Sequence, residues 1–317
     1  MDSGGVPEYS VIVTCFNEER TAAEFIGRLA DTLRSIGRPA EIVVVDDGSA
    51  DATFNVLLEV LHDEPLISVA IELYRNSGQA AAITAALQEC RGRNIVLIDS
   101  DLQLDPEELP MLMEPYEQGL DIVSGYRRHR RDHWSRIIYS KLANAIMRKA
   151  SRTNFRDFGC TFKIIRADAI RALSFGPTHV FSIVQVCAQL RRWAEVPVTH
   201  HPRRVGKSGW TLRKLLRLNT DNLLHLSRRP FEYLGLFTAI GALLLVLRIA
   251  IADWLPESLL PAVSTGLLLN AVIFGLLVTT TVQVVLGEIA MRSFELARRQ
   301  PAYIVRQRVT RNPDSHD

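Results

Sequence analysis

An acidic loop is the part of this 317-residue chain whose residue types and spacing point most directly to chemistry. It reads Asp99-Ser100-Asp101-Leu102-Gln103 and follows a run of aliphatic residues. A hard divalent cation such as Mg²⁺ or Mn²⁺ takes one or two protein carboxylates and completes its shell with diphosphate oxygens and water. Short acidic pairs also occur in exposed turns, but the position directly after a buried strand favours a metal site that holds a diphosphate.

Three other loops also carry polar residues at the point where a predicted strand ends. They read Thr14-Cys15-Phe16-Asn17-Glu18, Asp46-Asp47-Gly48-Ser49 and Arg75-Asn76-Ser77-Gly78-Gln79. In the second loop an acid can accept hydrogen bonds from a ribose hydroxyl or a base N–H, while the glycine lets the backbone turn. Ser49 or Asp51 acting as a helix N-cap is the alternative explanation, and the two are compatible. These loops and the acidic loop are placed to converge on one ligand.

The loops belong to a pattern in which short β-rich runs alternate with longer amphipathic stretches. The predicted strands are Ser10–Phe16, Glu41–Asp46, Ile67–Leu73, Asn94–Asp99 and Asp121–Gly125. The predicted helices are Glu18–Ile36, Ala52–His62, Gln79–Cys90 and Glu107–Gln118. Continuous aliphatic runs such as Ile42-Val43-Val44-Val45 are typical of strands covered on both faces. The alternation predicts an α/β fold with a largely parallel sheet, and ligands bind such sheets at the carboxyl ends of the strands.

Cysteine usage and the N-terminal segment indicate a reducing compartment. Cys15, Cys90, Cys160 and Cys187 lie far apart with no spacing for zinc or a redox pair, so we expect small buried residues. Residues 1–10 contain no basic start followed by an apolar run, so we expect no secretory signal. We expect the soluble part of the chain to stay in the cytoplasm.

Two long apolar runs predict a membrane anchor in the last third of the chain. Phe231–Ala252 forms a helix of roughly 33 Å at ~1.5 Å per residue, enough for ~30 Å of hydrocarbon, and a second run covers about Ala262–Gly287. The connection Asp253–Glu257 has two acids and no Lys or Arg, whereas Arg228 and Arg229 precede the first run and several arginines follow the second. The positive-inside rule then places both ends in the cytoplasm. Two buried helices of a soluble core are the alternative.

The segment before the first apolar run is basic and amphipathic. Thr211–Arg229 has leucines at helical spacing and Arg or Lys on the other side, which predicts a helix in the headgroup region. A solvated helix packed on the soluble domain is the alternative. The predicted organisation is a cytoplasmic domain over 1–210, an interfacial helix over 211–230, a two-helix transmembrane anchor over 231–290 and a cytoplasmic basic tail over 291–317.

Taken together, these segments resemble one known family. The runs VIVTCFNEE, VVVDDGSADAT, RNSGQAAAI and DSDLQLDPEELP, in this order and spacing, are similar to family 2 of the glycosyltransferases. Asp157-Phe158-Gly159-Cys160, Arg204–Trp210 and the two apolar runs extend the resemblance to roughly Tyr9–Gln307. Within the family the chain resembles the polyprenyl-phosphate glycosyltransferases, which transfer 4-deoxy-4-formamido-L-arabinose or glucose to undecaprenyl phosphate, or mannose to dolichyl phosphate. The resemblance implies a nucleotide-binding domain of the glycosyltransferase A type.

The resemblance also implies a role for each matching residue. The residues with an implied catalytic role are Asp99, Asp101, Asp157 and Lys207, and Asp157 lies in the motif that faces the donor sugar. Those implied to bind a nucleotide-sugar donor are Thr14, Asn17, Glu18, Asp46, Asp47, Arg75, Gln79, Ser100, Arg204 and Ser208. Those implied to hold the acceptor phosphate are Arg127, Arg136 and Ser140, and the implied ligands of Mg²⁺ or Mn²⁺ are Asp101 and Gln103.

Two positions depart from the family pattern. Thr14 stands where a proline is common, a change that we expect to affect packing more than chemistry. Gly209-Trp210 stands where the arabinose and mannose enzymes have a lysine and an aromatic residue. This leaves Lys207, Arg213 or Lys214 as the basic group near the diphosphate, and it leaves the donor sugar open.

The implied reaction needs no general base. The second pKa of a phosphate monoester lies near ~6, so a polyprenyl phosphate is largely ionised at neutral pH and needs cations to position it. Residues 169–194 contain no Asp or Glu, although relatives with hydroxyl acceptors place a catalytic carboxylate there. The sequence therefore predicts inverting, metal-dependent transfer of one sugar from a nucleotide-sugar, expected to be a UDP-sugar. The predicted acceptor is undecaprenyl phosphate at the cytoplasmic face of a bacterial inner membrane.

Several alternatives stay open at this point. Gln189-Leu190-Arg191-Arg192-Trp193 fits a pattern of processive polysaccharide synthases, but it lies at the end of a helix before the predicted strand Glu195–Thr199, so we interpret it as a coincidence. A processive or hydroxyl-acceptor transferase and a non-catalytic nucleotide-sugar-binding scaffold are the rival functions. The basic segment Gly125–Arg136 suits a phosphate acceptor and membrane lipid better than nucleic acid. His200 and His201 are adjacent and would point to opposite faces of a strand, which argues against a metal site. The oligomeric state is open, with a homo-oligomer included.

Overall fold

The computed structural model describes residues 6–128, 147–148, 151, 153–202, 240–241, most positions between 270 and 293, and 301–311. The chain divides into two compact units. The first consists of Met1–Leu226 and Pro301–Asp317, and the second is the continuous segment Ser227–Gln300.

The described part of the first unit alternates strands and helices over most of its length. Its strands are β1 (Tyr9–Cys15), β2 (Ala40–Asp46), β3 (Ile67–Leu73), β4 (Asn94–Asp99), β5 (Ile122–Arg127), β6 (Lys163–Arg166), β7 (Trp193–Val198) and β8 (Val305–Thr310). Its helices are α1 (Ala22–Ile36), α2 (Thr53–Asp63), α3 (Gln79–Leu87), α4 (Leu109–Glu117), α5 (Ala167–Arg171) and α6 (Ile183–Gln189). A short 3₁₀ helix, Pro106–Glu108, precedes α4.

These eight strands form one sheet in the order β7-β5-β6-β4-β1-β2-β3-β8. The pairs β1–β2, β1–β4, β2–β3 and β5–β7 are parallel. Strand β6 is antiparallel to β4 and β5, and β8 is antiparallel to β3. The other strands therefore run in one direction, and their carboxyl ends meet at one edge. The predicted α/β fold with a mostly parallel sheet is confirmed.

Residues that alternate along the strands face two hydrophobic clusters, one on each side of the sheet. Val11 and Ile42 belong to the cluster that includes α1, α2 and α4. Ile12 and Val43 belong to the cluster that includes α3 and α6. Because successive side chains of a strand point to opposite faces, a strand covered on both sides must be apolar throughout. This explains the continuous aliphatic run in β2.

The predicted strands agree with the observed ones to within two residues, and β3 and β4 have the predicted bounds. The first predicted helix begins later than expected, at Ala22 instead of Glu18. The cause is a turn after β1, where Asn17 has a left-handed φ of 54°. The helix ends at Gly37, whose φ of 70° suits a glycine cap.

The C-terminal strand β8 was not predicted. The sequence suggests a basic tail over 291–317, but Val305–Thr310 pairs with β3 at the edge of the sheet. The arginines of the strand contact acids of the first unit: Arg306 lies 2.9 Å from Glu72, and Arg308 lies 2.5 Å from Glu89. Two arginines that we assigned to a basic tail thus form ion pairs within the fold.

All four cysteines are buried and free, as predicted. Burial raises the pKa of the Cys187 thiol to about 12, which keeps it protonated and unreactive. These residues serve as small core side chains.

The second unit contains a helix that is long and apolar enough to cross a membrane. It spans Asn270–Gly287 and has a mean hydropathy of 1.8, and none of its described residues is buried. It falls within the second predicted apolar run. A Cβ atom at Gly241, one of two described residues in the first run, would lie 1.9 Å from Phe274, so the close approach of these residues needs a glycine. The remaining residues of the first run and the interfacial helix Thr211–Arg229 lie outside the described residues.

We predict that Tyr303→Ala lowers the midpoint of thermal unfolding by several degrees, because Tyr303, which precedes β8, packs in the core. Tyr303 is 6% exposed and packs in the cluster with α3 and α6, whereas Tyr74 is 67% exposed. Truncation of a large buried aromatic residue costs about 3 kcal/mol. Tyr74→Ala is the matched control and should leave the midpoint nearly unchanged in a melting experiment in detergent. Equal midpoints for the two variants would show that the C-terminal segment is not part of the fold.

Candidate active site

The carboxylate of Asp99 lies at the edge where the parallel strands end and accepts three side-chain hydrogen bonds. Thr14 Oγ1 and Gln79 Nε2 donate to its Oδ1 atom at 2.8 Å and 2.5 Å, and Thr161 Oγ1 donates to Oδ2 at 2.6 Å. These donors come from β1, from the start of α3 and from the segment before β6. Asp99 therefore ties three separate elements to the end of β4.

Thr161 is a site residue that the sequence did not single out. It follows Asp157-Phe158-Gly159-Cys160 directly, so its place beside that motif was the one available signal. Thr14 and Gln79, implied as donor-binding residues, here bind Asp99. Ser100, implied in the same role, is buried, and its hydroxyl donates to the backbone carbonyl of Thr14 at 3.2 Å.

The loop after β4 turns sharply at Leu102. This residue has a left-handed φ of 56°, although only 2% of it is exposed. A non-glycine residue in this conformation costs of order 1–3 kcal/mol, which the burial of its side chain offsets. The turn leaves Asp101 and Gln103 partly exposed on either side of a buried leucine. Asp101 Oδ1 also accepts a hydrogen bond from the backbone N–H of Gln103 at 3.1 Å.

The segment after β7 forms hydrogen bonds with this loop. The backbone N–H of His201 donates to the carbonyl of Gln103 at 2.9 Å, and Gln103 Nε2 donates to the carbonyl of His201 at 3.2 Å. The His201 ring lies 2.7 Å from Asp105, which also pairs with Arg28 at 2.9 Å. Burial alone would raise the pKa of Asp105, but the bonds from His201 and Arg28 bring it below its ordinary value. His201 thus supports the loop through Asp105.

The donor set of the loop fits a hard cation that is shared with a ligand. Within the described residues, no group of three or more His, Cys, Asp or Glu side chains lies close enough to hold a metal by itself. Mg²⁺ is usually bound by one or two carboxylates, with substrate phosphates and water supplying the other oxygens. Asp101 can supply such an oxygen. In Gln103 the amide nitrogen already donates to His201, so the amide oxygen is the atom left for a cation.

The loop after β2 is joined to the start of α3 through one of its acids. Asp47 accepts hydrogen bonds from the backbone N–H groups of Ser77 at 2.7 Å and Gly78 at 2.9 Å, which fixes the start of α3. Gly48 has φ of 64°, and a Cβ atom there would lie 2.3 Å from the backbone of Arg75. A glycine is therefore required where the second and third loops meet.

Asp46 is 1% exposed and accepts hydrogen bonds from the backbone and the hydroxyl of Ser49. Burial raises its pKa to about 6 from an ordinary 3.8, against the opposing effect of the two bonds from Ser49. The structure therefore brings Asp46 and Asp47 to the edge where Asp99 lies, each with protein donors on its oxygens.

Asn17 and Glu18 join the first loop to the second. The backbone N–H of Asn17 donates to Ser49 Oγ at 2.9 Å, and Asn17 Oδ1 accepts from the N–H of Ala50 at 3.0 Å. Glu18 is 5% exposed and accepts a hydrogen bond from the hydroxyl of Thr21 at 2.7 Å. These contacts fix the relative positions of the two loops.

Arg127 and Asp157, to which we assigned different substrates, bind each other. Arg127 Nε lies 2.7 Å from Asp157 Oδ2, and Arg127 Nη2 lies 2.9 Å from Oδ1. The two side chains are 18% and 8% exposed. This is the two-pronged geometry in which a guanidinium binds a carboxylate most strongly. The cation expected at the acceptor phosphate is thus oriented by the carboxylate expected at the donor sugar.

Five of the implied site residues lie outside the described residues, namely Arg136, Ser140, Arg204, Lys207 and Ser208. Arg75 is described, and its side chain is exposed. The other implied residues lie at or near the carboxyl ends of the parallel strands.

The pattern at Gln189 has the position that we predicted from the sequence. Gln189 is the last residue of α6, and Trp193 is the first residue of β7. Trp193 packs edge-on against Phe155, with ring centroids 5.1 Å apart. Trp193 therefore belongs to the packing of the fold, whereas Gln189 is exposed.

The chain is similar in sequence to a known family and to proteins of known name. Residues 10–174 match the sequence model of the family described as Glycosyl transferase family 2. The chain is 32% identical to undecaprenyl-phosphate 4-deoxy-4-formamido-L-arabinose transferase of Edwardsiella ictaluri, over 96% of this chain and 95% of that protein. It is 31% identical to the Klebsiella pneumoniae protein of the same name, over 98% and 96%. Glucosyl-3-phosphoglycerate synthase from Mycobacterium tuberculosis superposes with a TM-score of 0.49 at 16% identity, over 69% of this chain and 79% of that one.

We predict that the stability of Asp46→Asn, measured relative to that of the wild type, increases as the pH rises from about 4 to 6. The pKa of Asp46 is higher in the folded state, so its protonation stabilises the fold, and this contribution is lost as the pH passes about 6. The difference in melting midpoint, variant minus wild type, should rise over this window and then stay level.

Asp121→Asn is the control for this experiment. Burial alone would raise the pKa of Asp121, but hydrogen bonds from Arg192 and Arg191 bring it below its ordinary value. Its difference in midpoint should stay level or fall over the same window. A parallel rise in both variants would contradict the assignment to Asp46.

Proposed function

The chain belongs to glycosyltransferase family 2 and is a glycosyltransferase; from that premise we propose that it transfers a single sugar from a nucleotide-sugar, a UDP-sugar, to undecaprenyl phosphate. The observation that carries the proposal is the similarity to undecaprenyl-phosphate 4-deoxy-4-formamido-L-arabinose transferases over nearly the whole of both chains. This similarity includes the apolar region as well as the sheet domain. The product would be a lipid-linked sugar.

We place the donor at the carboxyl edge of the sheet. The loops that carry Asp46, Asp47 and Glu18 would hold the nucleoside, and the loop of Asp101 and Gln103 would hold the diphosphate. A divalent cation bound by Asp101 and Gln103 would neutralise the charge that develops on the leaving diphosphate. Asp99 would not contact the cation in this arrangement, since both of its oxygens accept hydrogen bonds from the protein. Its role is to hold the loops that bind the donor.

The acceptor is a phosphate oxygen, which is a nucleophile without help from a base. The carboxylates near Arg127 are in keeping with this. Asp157 is bound by Arg127, and Glu195 accepts hydrogen bonds from the backbone N–H groups of Arg156 and Asp157. Each of these acids would lose stabilising contacts if it took up a proton. In-line attack by the phosphate oxygen would invert the anomeric centre, with Arg127, Arg136 and Ser140 as the proposed phosphate contacts.

We also propose that the second unit is a two-helix anchor in the bacterial inner membrane, with both ends cytoplasmic. The course of the chain supports this, because it leaves the first unit at Leu226 and re-enters it at Pro301 to form β8. If the catalytic domain is folded on one side of a membrane, the segment between must cross an even number of times. The helix Asn270–Gly287 is long and apolar enough to be one of the two crossings, and the first apolar run would supply the other.

The test of function is a panel of nucleotide-sugars offered to the full-length protein with undecaprenyl phosphate in detergent and Mg²⁺ or Mn²⁺. We expect one UDP-sugar to give a lipid product whose mass corresponds to a single glycosyl group. Asp101→Ala should abolish this product, because the contact to the cation is lost. Asp31→Ala, a surface acid whose side chain is 81% exposed, is the control and should retain activity.

Two outcomes would contradict the proposal. Near-normal turnover by Asp101→Ala would rule out the proposed role of this loop in binding the metal. Formation of longer saccharide chains, or product only with a hydroxyl acceptor, would favour the processive or hydroxyl-acceptor alternative.

For the anchor, we predict opposite labelling of two engineered cysteines by a membrane-impermeant maleimide in intact spheroplasts. Glu257→Cys lies in the proposed external connection and should be labelled directly. Gln307→Cys lies at an exposed position of β8 and should be labelled only after permeabilisation. The four natural cysteines are buried, so they give little background. Labelling of both positions from the same side would rule out a two-crossing anchor.

A further inference from the structure

A row of polar side chains lies across three adjacent strands on one face of the sheet. Ser124 of β5 is in register with Glu195 of β7 on one side and with Lys163 of β6 on the other. Side chains in register on neighbouring strands point to the same face. Ile122, Ile165 and Trp193, each two residues away along the same strands, pack in the cluster that includes α3 and α6. The polar row therefore faces an apolar layer.

Burial of charge in such a place is costly unless each charge has partners. Lys163 is 2% exposed and Ser124 is fully buried. Burial also raises the pKa of Glu195, against the hydrogen bonds that favour its ionised form. The partners of these side chains should therefore show what their burial achieves.

Glu195 and Lys163 both bind the backbone of one short turn, 156–158. Glu195 Oε1 and Oε2 accept hydrogen bonds from the N–H of Arg156 at 2.8 Å and 2.9 Å. Glu195 Oε1 also accepts from the N–H of Asp157 at 3.2 Å. Lys163 Nζ donates to the carbonyl of Phe158 at 3.5 Å. A negative group thus holds the N–H end of the turn, and a positive group holds its carbonyl end.

The same turn is fixed on both sides by aromatic packing. The rings of Phe155 and Phe158 pack edge-on with centroids 5.4 Å apart, and the Arg156 guanidinium lies 5.2 Å from the centroid of the Tyr126 ring. The residue between these contacts is Asp157, whose carboxylate binds Arg127. Any shift of the backbone at 156–158 would therefore displace Asp157 and, through it, Arg127.

We infer that Glu195 and Lys163 are positioning residues, which set the orientation of Asp157 and Arg127 through the backbone of the turn. This inference rests on the proposed function, in which Asp157 faces the donor sugar and Arg127 the acceptor phosphate. Neither positioning residue contacts a substrate in this arrangement. Their effect on transfer is geometric, and displacement of a reacting group by about 1 Å can lower a rate by about 100-fold.

The test uses Glu195→Gln in the full-length protein, and Lys163→Met as a second variant that keeps most of the side chain. Glutamine keeps the shape of glutamate but turns a donor toward the N–H groups of the turn. We expect kcat to fall about 10- to 100-fold, with little change in the KM for the donor. Glu64→Gln is the matched control, since Glu64 also accepts a backbone N–H, that of Leu66 at 3.0 Å, but lies before β3, at the opposite edge of the sheet from the turn. It should retain most of the activity.

Two further readouts separate positioning from a general loss of structure. Amide hydrogen exchange should increase over 153–160 in Glu195→Gln, with an unchanged pattern in β1 to β4. In a double-mutant cycle, Glu195→Gln should add little to the loss caused by Asp157→Asn, because it acts through Asp157. If the activity losses of Glu195→Gln and Asp157→Asn multiplied in the double variant, the inference would be overturned. A large fall in the melting midpoint of Glu195→Gln that accompanied its activity loss would also overturn it.

Failure of the proposed function would look different. The wild-type protein would then form no lipid-linked sugar with any donor. The exchange experiment would still decide the structural step, since unchanged exchange over 153–160 in Glu195→Gln would overturn it, whereas increased exchange would support it.

Discussion

The arrangement of the candidate site depends on one carboxylate whose oxygens both accept hydrogen bonds from other residues of the protein. Asp99 stands at the end of β4 and accepts side-chain hydrogen bonds from Thr14, Gln79 and Thr161. These donors belong to elements that are far apart in the chain, so a single acid sets the distance between β1, α3 and the segment before β6. Hydrogen bonds to an ionised group are stronger than those between neutral groups, which suits such a junction. The acidic loop that follows can then turn outward at Asp101, with Leu102 buried beneath it.

A second junction of the same kind lies on the other half of the sheet. Asp157 binds Arg127 with both oxygens, and the turn that carries Asp157 is held by Glu195 and Lys163. The two junctions have complementary roles in the function that we propose. The first shapes the place where a nucleotide diphosphate leaves, and the second orients the groups that meet the sugar and the incoming phosphate. This arrangement gives no carboxylate the role of a base, which suits an acceptor that is already ionised.

Much of the fold could be predicted from the sequence, because its signals are local. Aliphatic runs mark the parallel strands, and the polar residues after them mark the edge where the site lies. The contacts that define the site were not predictable in this way. Thr161 and Asp99 are 62 residues apart, and Arg127 and Asp157 are 30 apart, so pairs of this kind appear only once the strand order is known. Strand β8 was missed for a related reason, since Glu72 and Glu89, which pair with its arginines, lie more than 200 residues away.

The central claim is that two neighbouring acids have different roles. Asp99 holds the loops of the site together, and Asp101 binds the cation. The most direct measurement is the anomalous difference density of Mn²⁺ in crystals of the full-length protein with UDP bound. The account predicts one peak between the diphosphate and Asp101, with Asp99 still bound by Thr14, Gln79 and Thr161. A peak coordinated by Asp99, with those three hydrogen bonds broken, would contradict it, as would bound nucleotide with no metal peak beside Asp101.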